Sequence, residues 1–244
     1  MNYTPAPDLL QDRVILITGA GQGLGRSAAL AYASYGATVI LLGRTQRKLD
    51  AVYDEIVAAG GPEPMIFQNN LAKSTDADFD AMADALYQQL GRLDGILHSA
   101  ARFEGLLPLV SHKQAQWLDM LRVNLIAPAS LTRACIPLLE RAPDASVIFT
   151  SETHAAQPTA YWGAFGVSKA ALESLMKTWA DELSVRPNIR MNAVVPGPVR
   201  TPLRRQSHPG EDPASLRAPE DLMPTYLYLM GPDSRNDCGK TFKA

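Results

Sequence analysis

The feature that most constrains the fold of this 244-residue chain is a glycine-rich turn between an apolar run and a helix. Residues 13–18 read RVILIT, a continuous run typical of a strand buried on both faces of a parallel sheet. Residues 18–26 follow as TGAGQGLGR and open a helical stretch. Glycines permit a tight turn and close approach of a phosphate, and a helix start offers unpaired backbone N–H groups. The segment therefore predicts a binding site for the pyrophosphate of a dinucleotide.

The rest of the chain alternates short apolar runs with helical stretches. After residues 13–18, the predicted strands are 37–42, 64–68, 93–98, 146–150, 189–195 and 240–242, and the predicted helices are 23–35, 46–59, 77–90, 113–139, 160–183 and 219–229. This alternation implies right-handed βαβ crossovers. We expect one α/β domain over residues 1–244, a doubly wound Rossmann fold whose seven-stranded parallel sheet has helices on both faces. Residues 198–217 lack periodicity and are predicted to form a mobile surface loop.

Composition excludes several classes of function. A hydrophobic share of 46% with 20% charged residues is ordinary for a globular protein, and a net charge of −2 gives no electrostatic footprint for nucleic acid. The two cysteines, Cys135 and Cys238, cannot build a disulfide framework and have no metal-ligand spacing. No apolar run could span a bilayer, and residues 1–10 do not resemble a leader. We expect a cytoplasmic protein with a small-molecule substrate and no metal, nucleic-acid or membrane partner.

Three further segments, together with TGxxxGxG, resemble the short-chain dehydrogenase/reductase family over essentially the whole chain. They are RVNLIAP with Asn124, FGVSK ending at Lys169 where the family has YxxxK, and PGPVRT at residues 196–201. Within the family, DLLQDRVILITGA, LLGRT and MPTYLYLMGPDS resemble the bacterial YciK-like oxidoreductases. The resemblance implies hydride transfer between a nicotinamide dinucleotide and a small carbonyl or alcohol substrate. It also implies a homodimer or homotetramer that buries the apolar surplus of the helices predicted at 113–139 and 160–183.

The resemblance also implies which residues contact the dinucleotide. The second strand ends in Gly43, where an acidic residue would bind the ribose 2′-OH of NAD and repel a 2′-phosphate. Arg44 can bind that phosphate with two hydrogen bonds, which favours NADP(H), with NAD possible; alternatively, Arg44 is only a solvated loop residue. The candidate cofactor residues are Gly19, Gly21, Gln22, Gly23, Leu24, Gly25, Arg44, Thr45, Asn70, Leu71, Ser99, Ala100, Lys169, Pro196, Gly197, Val199 and Thr201.

The catalytic positions depart from the family pattern. In the family a tyrosine exchanges the proton of the substrate oxygen, a lysine one helical turn later lowers its pKa, a serine steadies that oxygen and an asparagine helps to hold a relay water. Lys169 and Asn124 are present, but Phe165 stands at the tyrosine position and Glu152 at the serine position. The usual NNAG segment reads HSAA at residues 98–101. Phenylalanine has no proton to give, so the acid–base system is altered.

Four side chains are candidates to replace the missing groups. Tyr161 lies one turn before Phe165 on the same predicted helix face, although a packing role there is simpler. His154 can titrate near neutral pH, or it can be an ordinary solvated loop histidine. Glu152 can act as a base or form a plain ion pair with Lys169. Ser151 can take the serine role if the loop is shifted by one residue.

Two functions are therefore open. The first is an NADP(H)-dependent oxidoreductase with an altered acid–base system, acting on a substrate that needs little proton assistance. The second is a dinucleotide-binding protein without turnover, in a regulatory or structural role. The fold favours neither.

Overall fold

The computed structural model describes residues 3–186 and 188–244, and its centre is a seven-stranded, all-parallel sheet in the order β3-β2-β1-β4-β5-β6-β7. The strands are β1 (Val14–Thr18), β2 (Thr38–Gly43), β3 (Met65–Gln68), β4 (Gly95–His98), β5 (Ala145–Thr150), β6 (Ile189–Val195) and β7 (Thr241–Lys243). The predicted doubly wound sheet is confirmed, and its strand order reverses between β1 and β4. Such a reversal opens a crevice at the carboxyl ends of the strands.

Helices cover both faces of the sheet. They are α1 (Gly23–Ser34), α2 (Gln46–Ala58), α3 (Asp76–Leu90), α4 (Gln114–Leu121), α5 (Ala127–Leu139), α6 (Thr153–Ala156), α7 (Gly163–Glu182), α8 (Pro202–Ser207) and α9 (Met223–Met230). Helices α3, α5 and α7 pack with Leu16 on one face, whereas α1, α2 and α9 pack with Ile15 and Ile17 on the other. Side chains alternate between the faces along each strand, so a strand buried on both faces must be apolar throughout. That requirement explains the run at residues 13–18.

The single helix predicted over residues 113–139 is wrong in its middle. A π-helical turn, Arg122–Ile126, joins α4 to α5, and the backbone N–H of Ala127 donates to the carbonyl of Arg122, five residues back. Pro128 has no N–H to donate to the carbonyl four residues earlier, which is that of Asn124. The irregular turn thus lies at a candidate site residue, as such turns often do.

Two other segments differ from the sequence prediction. The helix expected from residue 160 begins instead at Gly163, because Tyr161 has φ +73°, which is not a helical value. Within residues 198–217, expected to lack regular structure, Thr201 caps the short helix α8 by accepting from the backbone N–H of Arg204. None of the helices in the described part of the chain is long and apolar enough to cross a membrane.

Candidate active site

A cleft runs along the carboxyl ends of six strands. Residues that line it directly follow the strands, namely Gly19 after β1, Arg44 after β2, Asn69 after β3, Ser99 after β4, Ser151 after β5 and Pro196 after β6. The cleft crosses the point where the strand order reverses, which is the ligand site expected for a doubly wound sheet. Every predicted cofactor residue except Gly25 lines it.

The glycine-rich turn leaves no room for side chains at two positions. Gly19 has φ +71°, and a Cβ there would come 2.9 Å from the backbone of Ala100. A Cβ on Gly25 would lie 2.8 Å from the carbonyl carbon of Gly19, so Gly25 lets the first turn of α1 pack beneath the loop instead of lining the cleft. The Thr18 hydroxyl accepts from the backbone N–H groups of Ser99 and Ala100 at 3.1 Å, which ties this loop to the end of β4.

The start of α1 faces the cleft with unsatisfied donors. Gln22, the residue before the helix, makes no side-chain cap, and no acidic residue lies in the first turn. The exposed N–H groups and the positive end of the helix dipole therefore favour an anion, as a pyrophosphate requires.

Basic side chains gather at the end of β2. Arg44 is exposed and lines the cleft with Thr45, whose hydroxyl does not cap α2 and is free for a ligand. Lys48, which was not predicted, lies one turn into α2, lines the same part of the cleft and donates to the Gln22 side-chain carbonyl. Lys48 could have been identified from the sequence, because it follows Arg44 by four residues near the start of a predicted helix. Two cations and a hydroxyl therefore line the cleft near the end of β2, which suits a phosphate.

Two asparagines line the cleft after β3. The Asn70 side-chain carbonyl accepts from the backbone N–H of Ala72 at 3.2 Å, so its amide NH₂ stays available as a donor. Asn69, also missed by the sequence analysis, donates its backbone N–H to the Gly43 carbonyl at 2.9 Å. Leu71 provides an apolar wall beside them.

Lys169 lies at the floor of the cleft and is 3% exposed. Its ammonium donates to the Thr150 carbonyl oxygen at 2.7 Å and lies 5.8 Å from the centroid of the Phe165 ring. Burial lowers the pKa of Lys169 from 10.5 to about 8, and attraction to Glu152 opposes that shift. Phe165 occupies the tyrosine position, lines the cleft and is 3% exposed, so no phenol faces Lys169 from that helix position.

Glu152 lines the cleft at the position where the family has serine. Its Oε2 accepts from both the backbone N–H and the Nδ1 of His154 at 2.9 Å. Within the described part of the chain, its Oε1 accepts no hydrogen bond from a protein donor. The His154 ring in turn stacks on Trp162, with 3.9 Å between ring centroids. Glu152 is thus held at one oxygen, by a histidine that is itself fixed by packing.

The other two candidates have different environments. Ser151 is buried and its hydroxyl donates to Glu173, so although it borders the cleft its proton is already committed. Tyr161 is 56% exposed and does not line the cleft, and its backbone carbonyl accepts from the N–H of Leu107. The structure therefore contradicts the shared helix face that the sequence suggested for Tyr161, because the positive φ at this residue precedes the helix.

Asn124 lies beside the cleft but does not line it. Its side-chain carbonyl accepts from the N–H of Arg102 at 2.7 Å, and its amide donates to the Arg102 carbonyl and to the Ser168 hydroxyl at 3.0 and 2.9 Å. The side chain is fully used in fixing the loop after β4 to α7. Its backbone carbonyl has no N–H donor four residues later, because that residue is Pro128.

His98 replaces the first residue of the family's NNAG segment and is buried at the end of β4. Its Nε2 lies 2.9 Å from the Thr132 hydroxyl, and its ring stacks on Phe149. Burial, and to a lesser extent the charge of Lys169, lower the pKa of His98 from 6.5 to about 3, so the ring is neutral at physiological pH. It packs the sheet and does not line the cleft.

Aromatic and basic side chains surround the end of the cleft next to Phe165. Trp162 lines the cleft 5.9 Å from the Phe165 ring, and Phe103 packs edge-on against Phe165 at 5.2 Å. Arg102 and Arg204 also line the cleft, and each is paired, with Glu104 and Glu211 respectively. The sequence analysis did not identify Trp162, Phe103, Arg102 or Arg204 as residues of this site.

The cleft fits a dinucleotide on its own geometry. The turn excludes any Cβ at Gly19, the helix start at Gly23 presents free N–H groups, and Arg44 and Lys48 can meet a phosphate at the far end. The apolar end beside Phe165 can take a flat ring. Among the residues described, no group of three potential metal ligands occurs.

Comparisons with known proteins agree with this geometry. The model of the short chain dehydrogenase family matches residues 13–212. The oxidoreductase YciK of Escherichia coli K12 is 43% identical over 244 residues, which cover 100% of this chain and 96% of YciK. A short chain dehydrogenase of Shigella flexneri 2a complexed with NADP superposes with a TM-score of 0.95 at 42% identity, over 98% of this chain and 99% of its own. Another, from E. coli CFT073 and complexed with NADPH, has a TM-score of 0.95 at 43% identity with the same coverage.

Proposed function

Because the chain belongs to the short-chain dehydrogenase family, we propose that it is an NADP(H)-dependent oxidoreductase that moves a hydride to or from a small carbonyl or alcohol substrate. The observation that carries the proposal is the complete phosphate cradle at the start of α1, with Lys169 on the same cleft floor. The two solved relatives with NADP or NADPH support the choice of dinucleotide.

The dinucleotide would supply the hydride, and this chain's residues would bind and orient it. The N–H groups at the start of α1 would hold the pyrophosphate, and Arg44, Thr45 and Lys48 the 2′-phosphate. Asn70 and Leu71 would contact the adenine. The nicotinamide half would lie against the segment from Pro196 to Thr201 and against Lys169, whose ammonium can reach a ribose hydroxyl. The other predicted cofactor residues that line the cleft, including Ser99 and Ala100, would contact the dinucleotide from the bottom of the cleft.

Proton transfer is the weak part of this system. Reduction of a ketone leaves an alkoxide that must take up a proton, and Phe165 cannot donate one. A missing acid–base group typically lowers the rate by about 10²–10⁴, and a missing oxyanion donor by about 10²–10³. With Glu152 in place of the serine as well, the proposed hydride transfer requires an acid–base mechanism different from that of the family.

A second function, a dinucleotide-binding protein without turnover, is favoured by the same phenylalanine. The cradle, Lys169 and the basic pair would all be retained by such a protein, since they serve binding. The two functions differ only in whether reduced nicotinamide is consumed. A panel of aldehydes, ketones and imines with NADPH, followed by loss of its absorbance, separates them. No turnover across the panel, with tight NADPH binding, would establish the second.

The cofactor assignment is tested by calorimetry with NADPH and NADH. Arg44→Ala should weaken NADPH binding by about 1.5–3 kcal/mol, the range for a hydrogen bond to a charged group, and leave NADH binding nearly unchanged. Arg47→Ala is the matched control, because Arg47 is exposed on the next turn of chain but does not line the cleft. Equal losses for both nucleotides, or an equal effect of both variants, would contradict the assignment.

A homodimer or homotetramer is part of the proposal. Apolar side chains remain exposed on the packed pair α4 and α7 and on the turn between α4 and α5: Leu118, Ile126 and Val167 are each about half exposed. A partner with the same surface would bury them across a two-fold axis. Sedimentation that gives only the 26.4 kDa monomer at micromolar concentration would exclude it.

A further inference from the structure

The sign of the charge beside Phe165 is opposite to the one that ketone reduction needs. A ketone oxygen becomes negative as it accepts a hydride, and hydroxyl donors stabilise it. Glu152 is the one acidic side chain among the described residues that line the cleft, and it lies where the family has the serine hydroxyl. Its negative charge raises the pKa of Lys169, so the two side chains interact within the cleft. A carboxylate beside a developing alkoxide repels it, whereas beside a cation it attracts.

The two arginines that line this end of the cleft are each paired with a carboxylate. Arg204 pairs with Glu211 through two hydrogen bonds of 2.6 and 2.7 Å, and Arg102 pairs with Glu104. The Lys169 ammonium donates to the Thr150 carbonyl at 2.7 Å and lies 5.8 Å from the centroid of the Phe165 ring, so the Glu152 carboxylate has to offset its charge before this end of the cleft favours a cation. Glu152 is held at Oε2 by the backbone N–H and the Nδ1 of His154, but its Oε1 has no protein donor within the described chain.

The walls around this carboxylate suit a flat organic cation. Trp162 and Phe165 line the cleft with ring centroids 5.9 Å apart, and aromatic faces attract cationic nitrogen. The Trp162 ring also packs against the rings of His154, stacked at a centroid distance of 3.9 Å, and Phe103, at 5.7 Å, and these contacts fix its position. The same residues that leave a ketone without a proton donor therefore provide a site for a positive charge.

We propose that this end of the cleft selects a substrate with a positively charged nitrogen at the reacting bond, an iminium ion rather than a neutral ketone. The reaction then needs no acid. A bound reduced dinucleotide would supply the hydride; the iminium carbon would gain a C–H bond while the C=N π pair becomes the nitrogen lone pair, which would leave a neutral amine and the oxidised dinucleotide. Glu152 binds the cation, and Phe165 and Trp162 orient it.

This proposal rests on the proposed hydride transfer, and the test separates the two. The reactive probes are the N-methyl-dihydroisoquinolinium ion, which is cationic at every pH, and tetralone, a neutral ketone of similar shape. The binding probe is the N,N-dimethyl-tetrahydroisoquinolinium ion, which cannot accept a hydride, titrated by calorimetry into the full chain with NADPH. The variants are Glu152→Gln, which removes only the charge, and Glu182→Gln, which removes an exposed carboxylate at the other end of α7.

We expect kcat/KM for the iminium to exceed that for tetralone by about 10² or more, as the loss of an acid predicts. Glu152→Gln should lower kcat/KM for the iminium and the affinity for the quaternary cation by about ten-fold or more, and Glu182→Gln should change neither. NADPH affinity should stay the same in both variants.

Three results would overturn the proposal. One is a higher kcat/KM for tetralone, which leaves the proposed oxidoreductase intact. Another is cation binding that Glu152→Gln does not weaken. The third is alcohol oxidation faster than iminium reduction and lost in Glu152→Gln, because Glu152 would then be a base. Absence of NADPH binding would instead remove the proposed function itself.

Discussion

Replacing Lys169 by methionine should make the protein more stable and inactive at the same time. Lys169 is 3% exposed and its ammonium has one protein acceptor, the Thr150 carbonyl. Burial lowers its pKa from 10.5 to about 8, so the folded state holds the charged form against a cost of about 3 kcal/mol, at 1.36 kcal/mol for each pKa unit. Methionine fills a similar volume without charge, although the Thr150 carbonyl then loses its donor, which costs about 1–3 kcal/mol.

The pH dependence of this difference follows from proton binding. Between about pH 8 and 10.5 the unfolded lysine holds a proton that the folded lysine has lost, so the wild type gains stability as pH rises through that window. The destabilisation by the buried charge of Lys169 has its full size below about pH 8 and is absent above about pH 10.5. The stability of Lys169→Met relative to wild type should therefore be greatest near neutral pH and fall by about 3 kcal/mol towards pH 10.5.

Urea unfolding followed by tryptophan fluorescence measures both stabilities at several pH values, and m-values check that the unfolded states are comparable. Lys177→Met is the matched control, since Lys177 is exposed on the same helix. Its difference from wild type should not vary over this window. A difference for Lys169→Met that is also constant with pH would refute the reasoning, because burial of the charge would then not be the source of the effect. NADPH affinity should fall in Lys169→Met and not in the control.

Three further outcomes are expected. Phe165→Tyr should fold, bind NADPH as the wild type does and gain reductase activity towards neutral ketones, and adding Glu152→Ser should raise that activity more than Glu152→Ser does alone, which steady-state kinetics on all four proteins would check. His98→Asn should lose less stability than the wild type as the pH falls from about 6.5 to about 3. In the wild type the unfolded histidine binds a proton in that window, whereas the folded one, with its pKa lowered to about 3, does not. Urea unfolding at several acidic pH values measures both stabilities, and equal losses in the two proteins would contradict the expectation. Gly25→Ala should destabilise the protein by about 1–3 kcal/mol and weaken NADPH binding, since its Cβ meets loop backbone, whereas Gly210→Ala, with nothing within 4 Å of the added atom, should be neutral in the same unfolding assay.

The sheet could be predicted from sequence because burial on both faces forces a simple pattern. Each strand near the centre of the sheet must be apolar at every position, so runs such as residues 13–18 are visible without any knowledge of partners. The weak strand β3 has half-buried residues and a correspondingly weak signal, yet the spacing of the elements still indicated it. The order of the strands in the sheet cannot be read from these runs.

The irregular parts could not be predicted because they depend on single backbone angles and contacts. The π-helical turn at Arg122–Ile126 breaks no hydrophobic pattern, so the sequence suggested one helix. Tyr161 seemed to share a helix face with Phe165, but its φ of +73° places it before the helix. Whether Ser151 or Glu152 faces a substrate depends on where the Ser151 hydroxyl bonds, and that partner, Glu173, is remote in sequence.

Lys169 lies close to Phe165, which has no hydroxyl for the lysine to act on. In the family pattern the lysine serves both the dinucleotide and the tyrosine, and here only the first of those roles can remain. Burying the charged Lys169 lowers the free energy of unfolding by about 3 kcal/mol. A role in binding the ribose of the dinucleotide would explain why the protein keeps this lysine, and both proposed functions require dinucleotide binding. Lys169 therefore supports dinucleotide binding but cannot decide whether hydride moves. Glu152 bears on that question instead, because a carboxylate at the serine position has no part in the proposed cofactor contacts and would change which substrate charge the cleft accepts.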